Sequence, residues 1–429
     1  MYFFNARLKF KVTPTTVPIP GSIIAASAIS AVDLERRQFD KYPHLKRRFL
    51  DPQLYMAATD PSLDEKTVAR LAAYPWFHGG SVPKYDSGEH GTRKKWKAAH
   101  QEDLVSKWTR TTPTDPNAIR KAARAAVEFQ RNIGCDGILL AVPLTTIADQ
   151  TLQAELEWVE AGIEACHDLK VTCPIYATIA LSEAVLHVPA LNNPIIHSFT
   201  NHVAARSELA GAYVVLEQSE PSSYFWSSRD PLMALLVVVD DLCRGAQKKV
   251  VVNYLGTFGI VASALGAEVW SSGYFLNQRR FSLKAKMGIA HPRYHSLAIA
   301  GDIGLKSDLA MIRDAGFADE CMTPTTADAV LRSALKQGKS PANVPEWRYS
   351  PNNCTAAQQH YLEIVSEIGA NLHAMPLKDR QKWVREWLTN AVQLVDRLER
   401  QELVSMASDT SHQRVWLNVF KEWSNYAKQ

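Results

Sequence analysis

The residues of this 429-residue chain best suited to chemistry are carboxylates that follow short apolar runs. Glu217 closes the run from Ala212 to Leu216, Ser182 and Glu183 follow Pro174 to Ala180, Asp60 follows Gln53 to Thr59, and Asp302 follows Ser296 to Gly301. Carboxyl groups that converge in a desolvated pocket have their pKa values pushed apart, which divides acid from base roles. Glu217 is the leading catalytic candidate, as acid/base or nucleophile, with Asp60 or Glu183 as its partner. Each has a structural alternative as a helix cap or a loop ion pair, and Asp302 is the most open to it because a helical stretch follows. For Glu217 the alternative names Arg229, a cation in the same loop, while Gln218 and Glu220 offer an amide and a second charge.

Glycines and cations form a second set. Gly256 and Gly259 stand between an apolar run and a helical stretch, where backbone N–H groups can face an anion or where strand and helix pack closely. Arg279 and Arg280 follow, with Ser271 and Tyr274 nearby, so this quarter suits a phosphate-bearing substrate. The basic run Arg93, Lys94, Lys95 and Lys97 is either a solvated helix face or a set of nucleic-acid phosphate contacts. The Walker, G-x-G-x-x-G, H-E-x-x-H, C-x-x-C and G-x-S-x-G patterns are absent, so these spacings indicate no cofactor, no metal and no serine hydrolase. His291 and His295 read as structural.

The elements that would position these groups alternate. The apolar runs Ser22–Ala28, Gln53–Thr59, Gly137–Val142, Pro174–Ala180, Ala212–Glu217, Lys249–Tyr254, Glu268–Ser272 and Ser296–Gly301 are mostly continuous, as parallel strands covered on both faces are. Amphipathic stretches lie between them. This β-then-α order predicts a (β/α)8 TIM barrel, with an open doubly wound sheet as the alternative. The barrel is expected over residues 1–340, with an insertion at about 74–116, and a helical C-terminal domain over 350–429. In that tail Val384, Trp387, Leu388, Ala391, Leu394, Val395 and Leu398 form one apolar stripe, expected either as core or as a face for a protein partner or self-association. With 46% hydrophobic residues, a net charge of +4 and six scattered cysteines, the composition predicts a cytoplasmic globular protein that is not a dedicated polyanion binder. No run reaches the roughly 18 apolar residues of a membrane-spanning helix.

From Asn253 to Arg280 the sequence resembles the closing part of the tRNA-guanine transglycosylase barrel, through Tyr254, Leu255, Gly259, Gly266 and Arg280. The resemblance implies a related barrel handling a nucleoside or nucleic-acid substrate. It departs from the family where Ser271 takes the place of the nucleophilic Asp, and where the zinc-binding Cys/His cluster and an Asp-Ser-Gly-Gly-Phe run are missing. The expected activity is therefore that of a barrel enzyme acting on a nucleoside-like or phosphate-bearing substrate, transglycosylase-like or cleaving a glycosidic bond. The alternatives are a glycoside hydrolase and a non-catalytic nucleic-acid-binding or scaffold subunit of a larger complex.

Overall fold

The computed structural model describes residues 1–6, 19–36, 47–59, 65–77, 95, 99, 102, 112–146, 151–218, 225–283, 292–348, 355–406, 408 and 410–427. Eight parallel strands make one sheet: β1 (Tyr2–Ala6), β2 (Ser22–Ala25), β3 (Arg48–Asp51), β4 (Ile138–Leu139), β5 (Ile175–Leu181), β6 (Gly211–Leu216), β7 (Lys249–Val252) and β8 (Val269–Ser272). Neighbours in sequence are neighbours in the sheet, and β8 returns to β1 with Phe3 opposite Ser271. Asp136 closes the seam between β3 and β4. Its N–H donates to the Arg48 carbonyl at 2.9 Å, and its Oδ2 accepts the Arg48 N–H at 2.8 Å. The result is a nearly closed (β/α)8 barrel with helices outside, as the alternation of elements predicts.

Two expected strands are not strands. The Gln53–Thr59 run holds a 3-10 turn, Leu54–Ala58, because Gln53 turns left-handed (φ 53°) and ends the extended chain; the strand itself is Arg48–Asp51, just upstream. Ser296–Gly301 is the turn of an antiparallel hairpin, β9 (Arg293–Ser296) with β10 (Gly301–Gly304), and takes no place in the barrel. The missing eighth strand is Tyr2–Ala6. Glu217, expected as the last residue of its strand, instead follows β6 directly.

Strand alternation sorts side chains to two sides of the barrel wall. Phe3, Ile23, Phe49, Leu139, Tyr176, Tyr213, Val251 and Val269 form one cluster inside. Phe4, Ile24, Leu50, Ile138, Ala177, Val214, Val252 and Trp270 join a second, larger cluster between the strands and the helices. Helix Pro116–Asn132 starts where Asp115 accepts the Ala118 N–H at 2.9 Å and proline opens the first turn. Helix Gly259–Ala264 lies so close to β8 that a Cβ at Gly259 would stand 2.2 Å from the Trp270 ring.

The C-terminal helices extend this outer layer. Helix Thr355–Ala374 lies on β1, where a Cβ at Gly369 would meet Tyr2 Cβ at 2.6 Å. In helix Leu377–Arg400 all seven residues of the apolar stripe are buried. Trp387 donates its indole N–H to the Leu297 carbonyl, and Trp416 of helix His412–Tyr426 donates to that of Trp226, both at 2.6 Å. Among the described residues no helix is long and apolar enough to cross a membrane.

Candidate active site

Along five strands the inward positions change from apolar to polar toward the C-terminal end. Phe3 is followed by Asn5, Phe49 by Asp51, Val215 by Glu217, Val251 by Asn253 and Val269 by Ser271, all buried. This is the end of a barrel at which catalytic groups gather.

Asp51, fully buried at the end of β3, is the centre of the cluster. Its Oδ2 accepts hydrogen bonds from Tyr55 Oη at 2.5 Å, Tyr213 Oη at 2.7 Å and Tyr254 Oη at 3.4 Å, and its Oδ1 accepts the Gln53 N–H at 3.1 Å. Asn253 Nδ2 donates to Tyr213 Oη at 2.7 Å, and Gln53 Nε2 donates to Tyr254 Oη at 3.0 Å. Burial pushes the Asp51 carboxyl up to about 6, against the opposing pull of hydrogen bonds from Tyr55, Tyr213, the Gln53 N–H and Tyr254. The same burial, aided by the Asp51 charge, holds the three phenols well above their ordinary value, so they stay protonated donors.

Backbone strain falls on the same residues. Gln53 (φ 53°) and Tyr254 (φ 62°) are both left-handed without being glycine, and they are bonded to each other across the cluster. Such conformations cost about 1–3 kcal/mol each and persist where the surroundings enforce them, commonly at functional sites.

Glu217 also faces the interior and is 7% exposed. Its Oε2 accepts the Glu183 N–H at 3.1 Å. Its backbone bridges to Phe281, and Gln218 donates its N–H to the Phe281 carbonyl at 2.8 Å and its side-chain amide to the Tyr254 carbonyl at 3.1 Å. Because Tyr254 turns the chain aside after β7, the Phe281 segment takes the edge of β6 that β7 leaves. The Phe281 ring then covers Tyr55 at 4.9 Å and Tyr254 at 6.2 Å. Arg229 does not pair with Glu217; it binds Glu422 and Asp230. The Glu183 carboxylate turns away toward His187, 4.0 Å distant.

The remaining candidates divide. Asp60, Glu220, Arg93, Lys94 and Lys97 lie outside the described residues, while Lys95 is exposed on a helical residue. Ser271 donates to Asn5 Oδ1 at 3.3 Å. Gly256 is left-handed (φ 54°) and backs onto Arg279. Arg280 is buried beside the strap that carries Phe281. Arg279 is spent in a separate cluster outside the barrel wall: it bonds Asp302 at 2.7 Å and lies over the rings of Tyr361 (4.3 Å), Tyr274 (5.5 Å) and Phe225 (5.6 Å). His295 completes it, with Nδ1 2.8 Å from Asp302 Oδ1. Asp302 is thus neither at a barrel strand end nor a cap. Asp51 is not among the candidates chosen from the sequence, although a carboxylate at the end of a buried strand is what selects Glu217, and Asp51 meets that description once β3 is placed at Arg48–Asp51.

No protein-family model matches this chain, and no curated protein matches it. Among the described residues no group of three or more His, Cys, Asp or Glu is arranged to hold a metal ion.

Proposed function

We propose that this chain is a barrel enzyme whose acid/base group is Asp51, and that it cleaves or exchanges the glycosidic bond of a nucleoside-like substrate. The observation that carries the reading is the Asp51 carboxyl: fully buried among uncharged donors at the C-terminal end of β3, and raised to about 6. A group poised there is protonated often enough near neutrality to give a proton and basic enough to take one back.

In the proposed sequence Asp51 protonates the leaving base as the glycosidic bond breaks and the bonding electrons leave with the base. Water, or an incoming base, then adds to the sugar carbon and returns its proton to the Asp51 carboxylate. Tyr55 and Tyr213 steady the carboxylate between the steps. Ser271 occupies the place of the transglycosylase nucleophile and is tied to Asn5, so the reading needs no covalent intermediate there. Where the substrate is part of a polynucleotide, Arg93, Lys94, Lys95 and Lys97 would supply phosphate contacts. Replacing all four with alanine would then flatten the salt dependence of binding by up to about four phosphate contacts.

The test is release of free base from the common ribonucleosides and from tRNA, followed by chromatography. Asp51→Asn is expected to lower turnover by about two orders of magnitude or more with the fold intact, and wild-type activity should fall off above about pH 6. Turnover unaffected by Asp51→Asn would overturn the assignment, and absence of base release from every substrate would overturn the reaction class.

A further inference from the structure

The interior face beyond β5 and β6 carries a hydroxyl with no hydrogen-bond partner among the described residues. Leu181 and Leu216 are paired in the ladder between β5 and β6, so the next residues, Ser182 and Glu217, stand side by side on the interior face, and Phe281 continues the row on the other side of Glu217. Ser182 precedes the short helix Glu183–Leu186, a position where a serine hydroxyl ordinarily accepts a backbone N–H of the first turn. Here it makes no such bond. The Glu217 carboxylate reaches across from the neighbouring strand and takes the Glu183 N–H itself. Ser182 is 6% exposed, and its Oγ is buried without a hydrogen-bond partner among the described residues.

A buried hydroxyl left unpaired is uncommon in a native protein, because it forgoes water without compensation, and a role in a functional site is one of its recognised causes. The neighbouring carboxylate has accepting capacity to spare, since two oxygens offer about four lone-pair positions and the bond from the Glu183 N–H uses one of them. Together the two side chains present a donor-acceptor and an acceptor on one face, a few ångströms apart by the spacing of neighbouring strands. A ligand hydroxyl can donate to Glu217 and accept from Ser182 at once, and an adjacent hydroxyl can use the second carboxylate oxygen.

We infer that Ser182 and Glu217 form a hydroxyl-binding subsite that grips the sugar ring of the substrate while Asp51 acts on the bond to its leaving group. This rests on the acid/base reading of Asp51 and adds the recognition of a vicinal diol to it. Glu217 is then a binding residue, and Ser182 selects against ligands that lack the hydroxyl, as a site built to bond a hydroxyl does.

The experiment uses the full chain carrying Asp51→Asn, which removes turnover, and titrates it calorimetrically with the four common ribonucleosides and their 2′-deoxy counterparts. At least one ribonucleoside is expected to bind, its deoxy counterpart about tenfold more weakly. Adding Ser182→Ala or Glu217→Gln should weaken the ribonucleoside about tenfold and erase most of the difference between the two sugars. Thermal melting separates recognition from support of the fold: Ser182→Ala removes only an unpaired hydroxyl and should melt at or above the parent temperature. Binding unchanged by either variant, no binding by any probe, or a lower melting temperature for Ser182→Ala would overturn the subsite. Failure of the acid/base reading looks different, since Asp51→Asn would then leave turnover intact while the sugar preference persisted.

Discussion

Two buried aspartates in this molecule show how the neighbours of a carboxyl decide what it is for. Asp51 and Asp302 are both withdrawn from solvent, at 0% and 1% exposure, and burial raises the pKa of each. Asp51 meets phenols and an amide N–H, which weaken the effect without cancelling it, and its carboxyl rests at about 6. Asp302 meets the Arg279 guanidinium and the His295 imidazole, and these overcome burial and hold it well below the usual carboxylate range. Dispersed hydrogen bonds leave a carboxyl able to exchange protons near neutrality. A buried cation fixes it as an anion, so the pair outside the barrel reads as a pin between β9, β10 and the segment that leads to Phe281.

The sharpest way to break this contrast is one substitution at both sites. Asp302→Asn strands the Arg279 charge in a buried aromatic cage and should cost about 3–5 kcal/mol in urea unfolding. Asp51→Asn should do the reverse. A pKa raised by about two units means that the ionised form costs the fold about 3 kcal/mol above pH 6, so the neutral amide is expected to match or exceed wild-type stability at pH 8. A large loss in both variants would make Asp51 a second pin.

The pH dependence of stability refines the point. Asp51 binds its proton more readily folded than unfolded, so its contribution grows as pH falls from about 6 toward 4. His360, buried and held at about 4, acts with opposite sign: the unfolded chain takes the proton first, and stability is lost as pH falls from 6.5 toward 4. His295, lowered in the same direction, adds to that loss. In wild type the Asp51 gain offsets about 3 kcal/mol of it; in Asp51→Asn the decline over this window should be steeper by that amount. A smaller effect comes from Tyr213→Phe, which removes the 2.7 Å donor from Oδ2 and should move the Asp51 midpoint upward by about one pH unit.

The barrel was legible in the sequence because buried parallel strands such as KVVV and GAYVVL are continuous apolar runs. Tyr2–Ala6 and Arg48–Asp51 were not. Each is short and carries polar groups, Asn5 or Arg48 and Asp51, whose fitness for a strand depends on which side of a closed wall they face. The apolar runs at Gln53–Thr59 and Ser296–Gly301 carried the right composition but contain left-handed residues, Gln53 at the start of one and Ala300 near the end of the other, that composition does not reveal. The choice of candidates followed the strand assignment: with the second strand read downstream of its position, Asp60 becomes the strand-end carboxylate, whereas the carboxylate at the end of β3 is Asp51. The interior position of Glu217 was legible because β6 is uniformly apolar up to it. The Arg279 and Asp302 pair joins residues 23 apart through a hairpin, a closure that local pattern does not specify.

The central claim is that Asp51 changes protonation near pH 6 inside the barrel, and the carbonyl stretch of a protonated carboxyl reports this directly. Infrared difference spectra of the full chain between pH 4 and pH 8 should contain a protonated-carboxyl band that titrates with a midpoint near 6, vanishes in Asp51→Asn and persists in a folded Arg279→Lys control. A spectrum in which no band above pH 5 depends on Asp51 would contradict the account, because the carboxyl would then be a fixed anion like Asp302.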